Sequence, residues 1–184
     1  MPSWVDRFAE NLERYAGADA MRRLMEGREP LDAEDAAVRK ARWIGTLMQD
    51  LESELDPKTV LYVLEATGRG CIGQSLLDTA GQMYEQADGM EQFLELLNRE
   101  RIGGGHLRRE GSLIRGHYDH CYCAWVNAVP GLVSSTFCYC SAGWLRELFE
   151  SVLGEPVDVR FVQTVLGGGD RCEFIVTSPA LAAA

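Results

Sequence analysis

The chain contains no apolar run approaching the roughly 20 residues of a membrane-spanning helix. Its start, Met1-Pro2-Ser3-Trp4-Val5-Asp6-Arg7, lacks the basic and apolar regions of a signal peptide. Basic residues are scarce: 18 Lys and Arg stand against 28 Asp and Glu, a net charge of −10. An acidic chain is a poor partner for phosphate backbones and is repelled by anionic lipid surfaces, so neither nucleic acid nor a membrane is expected as a partner. No Gly-x-Gly-x-x-Gly follows a strand, and there is no Walker A loop, His-Glu-x-x-His helix, Gly-x-Ser-x-Gly elbow or Cys-x-x-Cys-His haem attachment. These absences exclude the commonest nucleotide-binding, zinc-protease and serine-hydrolase signatures. They point to a cytoplasmic protein, where thiols stay reduced.

Against that background the six cysteines stand out. Four form a doubled Cys-x-Cys pattern, Cys121-x-Cys123 and Cys138-x-Cys140, and Cys172 follows. Two of the three histidines sit just ahead, in His117-Tyr118-Asp119-His120-Cys121-Tyr122-Cys123. In a reducing compartment such a group argues for metal, catalysis or redox sensing rather than a disulfide framework. Free cysteines also rank among the most buried residues, so plain packing is the bland alternative.

At 184 residues the chain suits one domain, or a domain with a helical extension. Charge divides it. Residues 1–100 carry 11 basic and 20 acidic side chains, and residues 101–184 carry 7 and 8. The first hundred residues read as helices. Ser3 caps one running to about Gly27, after which Glu29-Pro30 breaks it, and Asp32 caps a second. In that second helix Ile44, Leu47, Met48, Leu51 and Leu55 recur at helical spacing. Asp56-Pro57 opens a third to about Ala66, another follows Cys71, and a short one carries Met90, Phe93, Leu94 and Leu97. After Gly103-Gly104-Gly105 the pattern turns to strands: 106–110, 112–118 continuing toward Cys123 and Trp125, then a helix over 141–153, a strand over 157–165 and a return from Cys172 to Thr177. The expected fold class is α+β, with a helical N-terminal region over 1–100, an antiparallel sheet with one long helix over 101–178, and a frayed tail at 179–184. An unused apolar helix face would suit a homodimer.

If the strand continues past Tyr118, then His117, Asp119, Cys121, Cys123 and Trp125 share one face and Tyr118, His120 and Tyr122 the other. Cys138 and Cys140 bear the same relation if extended. Two such pairs, Cys121 with Cys123 and Cys138 with Cys140, would supply a tetrahedral four-sulfur zinc site, with Cys172 able to replace one ligand and His117 as a further substitute. Soft ligands also allow an iron–sulfur cluster, and haem is a further candidate. Trp125, Tyr139 and Trp144 are candidates to line a small-molecule pocket, as are nearby aromatic residues. The catalytic alternative uses Cys123 or Cys138 as nucleophile, His117 or His120 as base, and Asp119 to orient it. Cys71, after Gly-Arg-Gly, reads as a helix-start thiol that the helix dipole and Arg69 would favour as thiolate. Arg99, Arg101, Arg108, Arg109 and Arg115 form a local basic group, suited to a carboxylate or to a solvated hairpin face.

The segments Cys138-Tyr139-Cys140-Ser141-Ala142-Gly143-Trp144, Leu153-Gly154-Glu155-Pro156-Val157 and Gly169-Asp170-Arg171-Cys172-Glu173-Phe174 form one connected pattern. It resembles the vinyl-reductase-type small-molecule-binding domain and is similar to the aminothiazoline-carboxylate hydrolase family, over about residues 100–178. An uncharacterised bacterial branch shares the Cys-Tyr-Cys arrangement more closely. The resemblance implies an α+β ligand-binding fold, often dimeric, with structural zinc in some members. Carried over by motif, Cys140 and Cys172 are the best-matched zinc ligands, joined by Cys121 or Cys123. It thus implies a metal-containing, sensor-type small-molecule-binding protein. The alternative is a hydrolase acting on a small cyclic or amide C–N bond.

Overall fold

A computed structural model describes all residues except 1–2, 29–30, 32–35, 124–125, 127 and 184. Six helices come first: α1 (Trp4–Ala16), α2 (Ala18–Met25), α3 (Ala37–Glu54), α4 (Pro57–Arg69), α5 (Gln74–Gln86) and α6 (Met90–Arg99). A hairpin of β1 (Arg108–Glu110) and β2 (Leu113–Tyr118) follows. Then come α7 (Tyr139–Leu153), β3 (Asp158–Gln163), β4 (Cys172–Thr177) and a terminal α8 (Pro179–Ala183). The strands form one antiparallel sheet in the order β1-β2-β4-β3. The fold is α+β, as the sequence pattern predicts.

Local chemistry sets the helix ends. The Ser3 hydroxyl accepts from the Asp6 amide at 3.1 Å, and the Ser3 amide donates to the Asp6 carboxylate at 2.8 Å, a reciprocal capping box. Asp56 caps α4 by accepting from the Lys58 and Thr59 amides, with Pro57 at the first helical position. The single helix expected to reach Gly27 is instead two. Gly17 takes φ 89°, a conformation open to glycine, which ends α1 and starts α2 at an angle. The proposed break at Glu29-Pro30 and cap at Asp32 fall outside the described residues. The tail expected to fray forms α8, anchored by Leu181 at 2% exposure.

Two apolar cores result. One joins Phe8, Leu12, Ile44, Leu51 and Leu64 of α1, α3 and α4 to Val133 and Phe137. The other joins Phe93 and Leu97 of α6 to Leu148, Phe149, Phe174 and Val176 of α7 and the sheet. The second core therefore unites α5 and α6 with the sheet, across the boundary expected near residue 100.

Helices α4 and α7 hold the two cores together, and glycine sets how closely they cross. A Cβ on Gly68 would lie 1.8 Å from the Cys140 carbonyl oxygen, and one on Gly143 would lie 2.0 Å from that of Glu65. Both positions admit only glycine at this backbone separation. Charged side chains flank the crossing. Arg69 grips Glu150 with two bonds, at 2.7 and 3.0 Å, and reaches Glu147 at 2.9 Å. Arg146 bonds Glu65 at 3.2 Å and Asp158 at 2.8 Å.

Candidate functional site

A cavity of about 390 Å³ opens between the α7 end of the crossing and the sheet. Ile102 and Gly104 wall one side, Tyr118 and Cys172 the sheet side, and Phe137, Cys138 and Trp144 the helix side. Gly104 makes that wall possible. At φ 99° its backbone presses on β2, and an added Cβ would lie 2.3 Å from the His117 carbonyl oxygen. Four cysteines line the space: Cys121, Cys123, Cys138 and Cys172. Tyr118 and Cys172 are cross-strand partners in the β2–β4 register, which delivers a phenol and a thiol side by side.

The environment of these thiols is apolar. Burial pushes Cys138 up to about 12 and raises Cys121 and Cys172 as well. The Cys172 sulfur accepts from the Val165 amide at 3.4 Å, which partly offsets its burial. Burial likewise holds the Tyr118 phenol protonated. Charge enters the cavity lining from Glu100 and Arg101. Arg101 has φ 56°, which a residue with a Cβ adopts only when its surroundings impose it. The rest of the arginine group is taken up by ion pairs, with Arg108 exposed and Arg109 and Arg115 half-buried. Arg108 and Arg115 bond Glu110, Arg115 also bonds Glu173, and Arg109 faces Glu91.

The strand expected to run toward Cys123 stops at Tyr118. Residues 119–123 leave the sheet, so His117 and Asp119 separate from the thiols. Asp119 instead faces two stacked imidazoles. Its oxygens lie 2.9 Å from His106 Nε2 and 3.3 Å from His117 Nε2, and the rings stack at 4.1 Å with 9° between planes. One donor atom from each of the three lies within 4.8 Å of the others, close enough for a cation. Among the described residues no cysteine joins such a group of three. His117 is held below its usual value, chiefly by burial and then by the charge of His106. Asp119 is lowered by its bond to His106. His120 stands apart, its ring tilted against Tyr122 at 4.4 Å.

The sequence reading did not single out His106, although the signal was present. The β1–β2 register pairs Arg108 with Arg115, and two residues further back that arithmetic sets position 106 opposite 117. A hairpin prediction carried to its register would have found the pair.

Cys138 and Cys140 also part company. Cys138 ends a 3-10 turn and Cys140 lies in the first turn of α7. Two residues along a helix rotate a side chain by about 200°, whereas two along a strand return it to the same face. Cys138 therefore faces the cavity, while Cys140 accepts from the Trp4 indole at 3.4 Å and hydrogen-bonds Cys71. Cys71 does not start a helix. It follows α4, and the cation beside it is Arg7 at 3.2 Å, since Arg69 is committed to Glu147 and Glu150. Of the aromatic candidates, Trp144 lines the cavity, Tyr139 is 39% exposed and lies outside it, and Trp125 falls outside the described residues.

The sequence matches, over residues 6–181, a family of unknown function designated DUF6144. The chain belongs to this family. No curated protein matches it in sequence. Among solved structures it is similar to an H-NOX domain from Shewanella oneidensis, determined by NMR in an Fe(II)CO ligation state. That likeness spans 96% of this chain and 97% of the other, with 12% identity and a TM-score of 0.51, so it is a likeness of fold. These findings overturn the resemblance to vinyl-reductase-type domains and aminothiazoline-carboxylate hydrolases. That resemblance rested on short cysteine and glycine motifs after residue 100, whereas the family match and the structural likeness both run through the helical half. Among the described residues no helix is long and apolar enough to cross a membrane.

Proposed function

We propose that this chain is a sensor-type small-molecule-binding protein whose ligand occupies the cavity between α7 and the sheet. The observation that carries this reading is the cavity itself. It is walled mainly by aliphatic and aromatic side chains, with four thiols, two phenols, the Ser141 hydroxyl and the charged residues Glu100 and Arg101 as its polar features. A volume near 390 Å³ lies toward the small end of ligand pockets, which suits a flat, largely apolar molecule of modest size. The solved H-NOX relative in fold carries iron and carbon monoxide, which makes a metal-bearing cofactor the natural class to test. The donor set here is compatible with a haem held through Cys121, Cys123, Cys138, Cys172 or a tyrosine. No histidine lines the cavity, so an imidazole-held haem is not part of the proposal. Such a group would supply an iron centre, and this chain would contribute an apolar enclosure and a thiol or phenol to hold it.

The thiols line the cavity without converging into a three-donor group, which argues against closed four-thiolate zinc. A specific observation favours a second metal position: the His106, His117 and Asp119 donors, two nitrogens and one oxygen that leave further coordination positions open. A hydrolase working through a cysteine nucleophile draws less support, because the raised Cys138 is a thiol rather than a thiolate at neutral pH.

The test is anaerobic purification of the untagged, unchelated chain, followed by elemental analysis, an absorption spectrum and titrations with haemin and 8-anilinonaphthalene-1-sulfonate. Saturable binding of either probe, weakened by Ile102→Trp, supports the cavity reading. A cobalt(II) titration separates the metal readings: sulfur ligation gives intense charge-transfer absorption and the His–Asp set gives weak d–d bands. A folded protein that binds neither probe sinks the proposal.

A further inference from the structure

Cys71 and Cys140 take no part in the cavity, yet they meet at the crossing of α4 and α7. Their sulfurs are hydrogen-bonded to each other. Arg7 of α1 donates to Cys71 at 3.2 Å, Trp4 of α1 donates to Cys140 at 3.4 Å, and Cys71 also lies 3.4 Å from the Thr67 carbonyl. Cys71 is partly exposed, so a small oxidant can reach the attacking sulfur, while the Cys140 thiol lies deeper behind it. The backbones here are in direct contact through Gly68, which removes the need for a large movement to bring the sulfurs together.

We propose that Cys71 and Cys140 are a peroxide-reactive dithiol, with Cys71 as the attacking residue and Cys140 as the one that closes a disulfide across the α4–α7 crossing. Arg7 is the positioning residue, since its guanidinium bonds the attacking sulfur.

The chemistry balances with one hydrogen peroxide. The Cys71 thiolate attacks one peroxide oxygen, the O–O bond breaks, and Cys71 becomes a sulfenic acid while hydroxide leaves and is protonated to water. The Cys140 sulfur then attacks the Cys71 sulfur. The S–S bond forms, and the Cys140 proton leaves with the sulfenic hydroxyl as a second water. Two electrons have passed from two thiols to one peroxide. The thiolate that this needs is favoured at Cys71, whose value is lowered to about 6 by the hydrogen bond from Cys140 and then by Arg7, against the opposing effect of burial. Three of the cavity thiols, Cys121, Cys138 and Cys172, are raised by burial and lack that activation.

The proposal is tested on the full chain at pH 7 with one equivalent of hydrogen peroxide, followed by alkylation, digestion and mass spectrometry. The expected product is a peptide in which Cys71 is linked to Cys140. In Cys140→Ser, dimedone should trap a sulfenic acid on Cys71. Arg7→Gln should slow the first oxidation about fivefold or more, with Arg7→Lys retaining part of the rate. Wild-type protein alone decides the first point, independent of how the variants fold. Oxidation of cavity cysteines before Cys71, survival of both Cys71 and Cys140 as free thiols, or an unchanged first rate in Cys71→Ser would each overturn it.

Discussion

The cavity thiols and the crossing thiols are the same side chain in two opposite environments. At the cavity, burial is the largest influence on Cys138, Cys121 and Cys172, and it favours the neutral thiol. At the crossing, Cys71 has a guanidinium and a second thiol as hydrogen-bond donors, and the anion is favoured. Neither difference is encoded in cysteine spacing. Cys138 and Cys140 belong to one Cys-x-Cys motif and go to different sites, because both sit in helical rather than extended backbone. What decides a cysteine's chemistry is the element that carries it and the charge it meets.

The largest effect should come from closing the space that lets the crossing form. Gly68→Val and Gly143→Val each drive a side chain into a carbonyl oxygen on the facing helix, which neither backbone can yield cheaply. We expect a loss of about 3 kcal/mol or more by urea unfolding, or failure to fold. A loss below about 1 kcal/mol would mean that the helices can separate without consequence, and the crossing would no longer define a site.

Filling the cavity comes next. Ile102→Trp should weaken 8-anilinonaphthalene-1-sulfonate binding by about tenfold, read by fluorescence titration, while urea unfolding changes little. It should leave peroxide oxidation of Cys71 unaffected, because the two sites share no side chain. Coupled loss of both would erase the distinction between them.

The fold was legible largely because its signals are local. The Ser3–Asp6 and Asp56–Pro57 caps, the Leu47–Leu51 spacing and the Gly103-Gly104-Gly105 change of pattern each act within a few residues. The site was legible only in part. Of the aromatic and sulfur residues singled out from the sequence, Trp144, Cys121, Cys123, Cys138 and Cys172 line one cavity. The partners of Cys71, the pairing of His106 with His117 and the parting of Cys138 from Cys140 are tertiary or register facts. They depend on where β2 ends and on which helix crosses which.

The smallest expected effect lies on the outer face of the sheet. Glu173 is held down to about 2 by its bond to Arg171 and then by Arg115. Its folded value is lower than its unfolded one. Its contribution is therefore complete above the ordinary carboxylate range near 4 and is lost as pH falls from there through about 2. Glu173→Gln should lower Tm by about 2–4 °C at pH 7, and the difference from wild type should shrink toward pH 2. A difference that persists at pH 2 would point to packing rather than charge.

The most direct measurement is cysteine-resolved alkylation of the reduced, anaerobic chain by iodoacetamide across pH 5 to 10, read by mass spectrometry. The account predicts that Cys71 reacts first, with a midpoint near 6, that Arg7→Gln shifts this midpoint upward, and that Cys138 stays unreactive until strongly alkaline pH. Six cysteines that react together at the pH of an ordinary thiol, or a Cys138 that reacts ahead of Cys71, would contradict the division of this molecule into two kinds of thiol.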